Sequence, residues 1–286
     1  EFNQELFWAL RGGKGGFGVV VEVEIDLFPL SRIYGGALFF EAGETPVVLR
    51  TFGEWSRNLP EEMTTSVAML RLPPVPEIPE PLRGRFVCAV RVGYVGSAED
   101  AEALLQPIRE IARPLIDGVG ELPYAQIARI HGDPVDPMPF VDGGILLEEF
   151  DTSAAETLLA AAGPGVEVPL AAVEVRRLGG ALARMPEPAN AVGGREAEFA
   201  LHVVGAPVPE LLHTAVPAVI GHLLSAMTPW ASGATQVNFF GGANRSSDKA
   251  ALWPSEVAAR LREVRLKHDP ANRFPFTLHG ITDGED

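Results

Sequence analysis

Several stretches of the chain alternate apolar and polar residues, the pattern of half-buried β-strands. The longest is residues 19–28, where valine, isoleucine and leucine alternate with Glu22, Glu24 and Asp26. Six further strands are predicted at residues 36–40, 64–72, 86–95, 170–178, 197–204 and 235–240. We expect Cys88 to lie on the apolar face of its strand and therefore in the core.

Helical signals lie between these strands. Residues 5–11 (ELFWALR) have the composition of a helix, and further helices are predicted at 98–112, 154–162, 209–227 and 255–268. Ser97 with Asp100, and Ser153 with Glu156, have the spacing of capping boxes, and Gly163 is a C-terminal stop. Paired strands mixed with single helices predict an α+β fold with a largely antiparallel sheet.

Composition narrows the functional classes. A formal net charge of -15 disfavours nucleic acid and anionic membranes as partners. Cys88 is the only cysteine, which excludes an internal disulfide framework and a thiolate-rich metal site. No signal peptide or membrane-spanning run is recognisable, so the simplest expectation is a cytoplasmic protein, unless a signal peptide lies upstream. Residues 5–11 have no plausible chain start before them, so we expect the sequence to begin inside a longer protein.

The glycine cluster at residues 12–18 contains Gly13, Gly15 and Gly18 in the spacing G-x-G-x-x-G. A dinucleotide fingerprint requires a strand before the glycines and a helix after them. The predicted order here is the reverse, so we reject that interpretation. A plain tight turn and a close approach of the backbone to a flat or anionic group both remain open.

The two ends of the chain carry a more specific pattern. Residues 6–30 (LFWALRGGKGGFGVVVEVEIDLFPL) and the sequence from Arg260-Leu261 to Arg273-Phe274 resemble two signatures of the berberine-bridge-enzyme-like family, FAD-linked oxidases of the vanillyl-alcohol-oxidase type. Residues 175–181 and 235–241 are also similar to that family, and the resemblance runs from residue 6 to residue 281. His268 stands where the closing signature usually has tyrosine.

The resemblance implies three parts. Residues 1–30 would end a FAD-binding domain, and residues 31–230 would form a substrate domain with an antiparallel sheet and helices on one side. Residues 231–286 would return to the flavin domain. The family's pyrophosphate loop and its covalent attachment histidine would lie upstream. We therefore expect these 286 residues alone to be inactive and not to hold FAD tightly.

The same resemblance implies that FAD contacts Gly18, Val19, Val20, Asn238 and Asn272. Asparagine is disfavoured inside a strand, which favours a specific hydrogen-bonding role for Asn238. Asn272 has an alternative explanation, because Asp-Pro-x-Asn is also ordinary turn chemistry.

The catalytic base cannot be carried over from the family. Many relatives have Tyr-x-Asn-Tyr where this chain has Gln236, Val237, Asn238 and Phe239. Glu174 and Arg176 lie two positions apart on one predicted strand, so both point to one face. Glu174 as base with Arg176 as substrate anchor, and a structural ion pair on a solvated face, remain open as alternatives.

Other candidates come from the loop-rich segment 122–139, where Tyr124, His131 and Asp133 could line a pocket. His131 and Asp133 have no third ligand at metal spacing, so we expect no metal site. His202, His213 and His222 are expected to be core or surface residues.

The resemblance implies a FAD-dependent oxidoreductase that removes a hydride from a small-molecule alcohol or amine, with oxygen or another acceptor reoxidising the flavin. The alternative is a non-catalytic small-molecule-binding module. Apolar surface facing the upstream part of the protein would favour self-association of the isolated chain.

Overall fold

The computed structural model describes residues 2–244 and 252–275, and their centre is one antiparallel sheet. Its strands are β1 Arg32–Glu41, β2 Met63–Arg71, β3 Phe86–Tyr94, β4 Ile116–Asp117, β5 Gly120–Pro123, β6 Asp142–Leu147, β7 Leu170–Arg177 and β8 Phe199–Gly205. The order is β4-β1-β3-β2-β7-β8-β6, with β5 also paired to β1. The predicted α+β fold with a largely antiparallel sheet is confirmed.

The α-helices of the described residues are α1 Gln4–Leu10, α2 Thr45–Arg57, α3 Ala98–Ile111, α4 Thr152–Ala162, α5 Pro209–Leu212, α6 Ala215–Ala226 and α7 Ser255–His268. Ser97 caps α3 by accepting a hydrogen bond from the backbone N–H of Asp100. None of the helices in residues 2–244 and 252–275 is long and apolar enough to cross a membrane.

The main core lies between one face of the sheet and helices α2, α3, α4 and α6. Alternate strand residues such as Val67, Val90 and Val173 pack there with Phe52 of α2 and Leu105 of α3. Cys88 is fully buried in this core, as predicted, and burial raises the pKa of its thiol. The opposite face is not covered by these helices, and polar side chains collect on it.

A second, smaller core joins the two ends of the chain. Trp8 of α1 and Leu261 of α7 pack together with Phe17 from the glycine cluster. The indole N–H of Trp253 donates to the carbonyl of Gly12 at 3.1 Å, which ties the glycine cluster to the segment before α7. Val237 and Phe240 pack against this cluster, so it extends to the edge of the sheet.

Two predicted strands are wrong. Residues 19–28 belong to no sheet of the described part of the chain, and Val19 and Leu27 are 78% and 85% exposed. Alternation specifies two faces, but a strand also needs a neighbouring strand for its backbone hydrogen bonds. Residues 235–240 form a turn closed by the N–H of Phe239 on the carbonyl of Gln236, so Asn238 is not inside a strand.

Some element ends and short elements also differ from the prediction. Asp151, not Ser153, caps α4, because its carboxylate accepts the backbone N–H of Ala154. The helix predicted over residues 209–227 is interrupted between Leu212 and Ala215. Strands β4, β5 and β6 were not predicted, since they are short or rich in glycine. The division at residues 30 and 230 stays a prediction, and residues 245–251 and 276–286 of the last segment lie outside the described residues.

Candidate active site

A cluster of charged side chains is centred on Glu174, on the sheet face opposite the helices. One carboxylate oxygen accepts a hydrogen bond from Arg91 Nη1 at 3.2 Å, and the other accepts one from Arg176 Nη2 at 2.9 Å. The strand register creates this cluster. Ser66 of β2 lies opposite Arg91 on one side and Arg176 on the other, so the three side chains share a face.

The ion pair between Glu174 and Arg176 is present, but Glu174 is only 7% exposed, so the pair does not lie on a solvated face. Burial alone would raise the pKa of this carboxyl. The charges of Arg176 and Arg91, together with Ser66 and His131, outweigh burial and hold the pKa of Glu174 below its ordinary value. The carboxylate is therefore ionised at neutral pH, and each of its two oxygens accepts a hydrogen bond from a guanidinium group.

His131 lies beside this cluster, with Nδ1 3.9 Å from the Glu174 carboxylate. It follows the 3₁₀ helix Tyr124–Ile130, whose last residue is buried against the sheet. Burial and the charge of Arg91 lower the pKa of His131 and outweigh the opposing effect of Glu174. A neutral, one-third exposed imidazole therefore borders the buried ion pairs at neutral pH.

Phe239 connects this cluster to a second polar pair. The guanidinium carbon of Arg176 lies 5.4 Å from the centre of the Phe239 ring, and the ring of His202 lies 4.9 Å from it on centroids. His202 Nε2 lies 3.0 Å from a carboxylate oxygen of Asp142. The sequence analysis did not select this pair. The two residues are 60 positions apart, and only the pairing of β6 with β8 brings them together.

The turn that carries Phe239 also carries Asn238, and it contacts the glycine cluster. Lys14 Nζ donates to the carbonyl of Val237 at 2.8 Å. Asn238 is exposed at the tip of the turn. The structure thus brings the segment before Gly18 to the turn of Asn238, and brings both to the edge of the charged sheet face.

Gly18, Val19 and Val20 begin the exposed extended segment. Gly18 has φ of +139°, and no atom lies within 4 Å of the position that a Cβ would occupy. Val19 and Val20 are exposed and are in no strand of the described residues. These two residues are therefore open to solvent at the place where the resemblance implies a cofactor.

Asn272 follows α7 in a tight turn, with φ of +50°. Its side-chain carbonyl accepts a hydrogen bond from Arg265, and its N–H donates to the carbonyl of Asp269 at 3.1 Å. The carboxylate of Asp269 accepts the backbone N–H groups of Arg273 and Phe274 at 2.8 and 2.9 Å, which lowers its pKa. Asn272 therefore forms the turn that the sequence also allowed, and its Oδ1 already accepts a hydrogen bond from Arg265.

Tyr124 begins the 3₁₀ helix that leads to His131 and is 46% exposed. Its N–H donates to the carbonyl of Ser31 at 2.9 Å, which fixes this helix to the chain before β1. The residues described here hold no group of three or more histidine, cysteine or acidic side chains suited to a metal ion.

No family model matches the sequence, but individual proteins do. The FAD-linked oxidoreductase aurO of Gibberella zeae is 24% identical over 288 residues, which cover 97% of this chain and 53% of aurO. The (R)-6-hydroxynicotine oxidase of Paenarthrobacter nicotinovorans is 27% identical over 136 residues, which cover 45% of this chain and 27% of the oxidase.

Solved structures extend the likeness over the whole fold. BBE-like 1 of Physcomitrella patens superposes with a TM-score of 0.77 and 16% identity, covering 99% of this chain and 62% of that protein. This chain thus spans about half to three fifths of the length of the proteins that match nearly all of it. The relatives and structural neighbours that cover most of the chain are FAD-linked oxidoreductases of the berberine-bridge-enzyme-like, vanillyl-alcohol-oxidase-type family, and the chain is similar to them over nearly its whole length.

Proposed function

We propose that this chain forms the substrate pocket and one edge of the flavin site of a FAD-dependent oxidoreductase. The observation that carries the proposal is the turn containing Asn238 and Phe239. Lys14 holds the turn to the glycine cluster at Val237, and Phe239 contacts Arg176 and His202 on the polar sheet face. A flavin edge at Asn238 would therefore adjoin a substrate on that face.

The residues at this edge fit a flavin. The open backbone at Gly18, Val19 and Val20 can donate and accept hydrogen bonds, and Gly18 leaves room for a flat ring to approach. Asn238 offers an amide donor and a carbonyl acceptor from an exposed turn. Asn272 fits through its amide N–H₂, because Arg265 already uses its carbonyl oxygen.

On the substrate side, Arg176 is the anchor. It is held on one side by Glu174 and packs on the other against Phe239, and about a third of its side chain is exposed. An arginine fixed in this way can donate hydrogen bonds to a substrate oxygen without first losing much conformational freedom. His131 and Tyr124 line the same side of the pocket in this proposal.

Glu174 was the candidate base in the sequence analysis. Its lowered pKa makes it a weak proton acceptor at neutral pH, because a good general base has a pKa near the working pH. We assign it instead the role of a fixed anion that orients Arg91 and Arg176. A proton acceptor is then needed elsewhere on this face.

When bound, FAD supplies the acceptor for a hydride from a small-molecule alcohol or amine. This chain binds and orients that molecule on the polar face, while Phe239 separates Arg176 from His202. The same proposal includes oxygen, or another electron acceptor, that reoxidises the flavin.

Anaerobic mixing of the full-length protein with single compounds tests this function. The panel comprises xylobiose, glucose, (R)-6-hydroxynicotine and benzyl alcohol. Bleaching of the oxidised flavin absorbance by at least one compound supports the proposal, and readmitted air that restores the absorbance identifies oxygen as an acceptor. A full-length protein that carries no flavin and takes none up leaves a non-catalytic binding module as the better description.

A further inference from the structure

The pair formed by His202 and Asp142 is built into the polar sheet face by the strand register. Gly144 of β6, and not Asp142, lies directly opposite His202 of β8. Because Gly144 has no side chain, the imidazole can lean across it towards Asp142 two positions earlier. The result is the 3.0 Å contact between His202 Nε2 and Asp142 Oδ2, with each side chain about one-fifth exposed.

The chain segment that follows α6 also contacts Gly144. Asn244 accepts the N–H of Gly144 at 3.1 Å and donates to the carbonyl of the same residue at 2.9 Å. A Cβ at Gly144 would lie 2.9 Å from the carbonyl oxygen of Phe239, so the turn sits directly on this glycine. The Phe239 ring then packs on His202, with an interplanar angle of 39°.

Charged residues lie on each of the elements that pack around this imidazole. Asp142 contacts it from β6, and Glu174 lies directly opposite it on β7. Arg176, on the same strand as Glu174, lies beyond the Phe239 ring. Lys14 reaches the carbonyl of Val237 in the same turn.

We propose that His202 is the proton acceptor of the oxidation and that Asp142 is its positioning residue, an inference that rests on the proposed function. His202 is one ring away from Arg176, the substrate anchor, and its stacking partner Phe239 follows Asn238, the flavin-side residue. His202 therefore lies between the proposed substrate anchor, Arg176, and the proposed flavin-side residue, Asn238. Neither the amide of Gln236 nor the phenyl ring of Phe239 can accept a proton at neutral pH, so the base has to come from another residue of this face.

The oxidation removes one proton and one hydride from the substrate, and His202 and FAD are their respective acceptors. Asp142 accepts the N–H of Nε2, which leaves the lone pair of the neutral imidazole on Nδ1. With FAD bound, Nδ1 would take the hydroxyl proton of the alcohol, or the amine proton, and the flavin would accept the hydride from the adjacent C–H bond. The substrate would leave as a carbonyl or imine, and Asp142 would face the resulting imidazolium.

The other candidates on this face are less suited to the task. Glu174 is held ionised by two arginines and has a lowered pKa. His131 is neutral, but it contacts Glu174 from the 3₁₀ helix, which also packs against β3 through Ile130. His131 is thus the competing residue that an experiment has to separate from His202.

The test uses the full-length flavoprotein and four variants, His202→Gln, Asp142→Asn, His131→Gln and the control His222→Gln on the exposed side of α6. Anaerobic flavin reduction by the first active compound of the panel is followed against pH. His202→Gln should lower the reduction rate at least 100-fold, the size expected for loss of a general base, and should remove the acid limb of the pH profile. Asp142→Asn should lower the reduction rate less than His202→Gln does, and His222→Gln should leave the rate and its pH profile unchanged.

A second readout does not depend on turnover. In protein labelled with ¹⁵N in the histidine rings, the neutral His202 ring should carry its hydrogen on Nε2 in wild type, where Asp142 can accept it, and should lose this preference in an additional variant, Asp142→Ala. The same tautomer populations in the two proteins, or loss of the acid limb in His131→Gln and not in His202→Gln, overturns the proposal. A wild-type protein without flavin defeats the proposed function instead, and the tautomer still decides whether Asp142 positions His202.

Discussion

Arg91 and Glu174 are 83 positions apart in the sequence, yet Arg91 Nη1 donates a hydrogen bond to the Glu174 carboxylate at 3.2 Å. Both side chains are more than nine-tenths buried. Arg176 completes the arrangement from the other carboxylate oxygen. One buried carboxylate thus binds two guanidinium groups, one through each of its oxygens.

Replacing Glu174 by glutamine should destabilise the protein by about 3 kcal/mol, because the buried guanidinium of Arg91 and the partly buried one of Arg176 lose their counter-charge. The free energy of unfolding in urea measures this. The control Glu156→Gln breaks an exposed pair with Arg50 and should cost less than about 1 kcal/mol. Equal losses in the two variants would contradict the assignment.

The same carboxylate predicts a pH dependence of stability. The folded-state pKa of Glu174 is lowered, so its contribution is fully present above the unfolded-state pKa of about 4.3 and is lost as the pH falls through the folded value. Wild type should therefore lose more stability than Glu174→Gln between neutral and acidic pH. Parallel curves for the two proteins would show that the ion pairs contribute little.

Arg176→Gln should weaken substrate binding about tenfold, since a hydrogen bond from a charged donor is worth about 1.5–3 kcal/mol. The concentration dependence of anaerobic flavin reduction separates binding from the limiting rate. Arg32→Gln removes an exposed arginine paired with Glu121 at 3.7 Å and serves as the matched control. An unchanged dissociation constant for Arg176→Gln would remove it as the anchor.

Asn238→Leu should alter the visible spectrum of the bound flavin and lower the flavin content, with little change in melting temperature. The side chain is exposed on a turn, so its loss leaves the core intact. Asn58→Leu, at the exposed end of α2, is the control. Identical flavin spectra in wild type and Asn238→Leu would mean that Asn238 does not contact the ring.

The isolated 286-residue chain should self-associate through residues 19–28. Val21 and Ile25 are 93% and 70% exposed on the apolar face of this segment, and such faces pair readily with other strands. The double variant Val21→Lys/Ile25→Lys should be monomeric by light scattering. Glu22→Gln/Glu24→Gln changes only the acidic face and should associate at least as strongly as wild type. A monomeric wild-type chain would contradict this prediction.

The sequence predicted well those elements whose signal is local. Alternation located β2, β3 and β7 to within one residue at each end, and α7 was predicted with the ends that it has. The strand predicted at residues 19–28 was wrong because alternation describes one strand and says nothing about a neighbouring strand to pair with it. Thr235–Phe240 failed because a short apolar run has the same composition in a turn packed on a core as in a strand.

The residues of the candidate site also divide into those with a local sequence signal and those without one. Glu174 and Arg176 could be selected because they are two positions apart on one strand. Arg91, Asp142 and His202 join the site only through strand register, which pairs β2 with β3 and β6 with β8. Gly144 was a sequence signal for the pair of His202 and Asp142. It could be recognised only after the strand register had placed Gly144 opposite His202.

The central claim, that this chain completes a flavin site, is tested most directly by the visible spectrum of the purified full-length protein before and after acid precipitation. We predict the absorbance of an oxidised flavin, retained by the precipitated protein if FAD is attached covalently and released to the supernatant if it is not. A colourless full-length protein that takes up no added FAD would contradict the account.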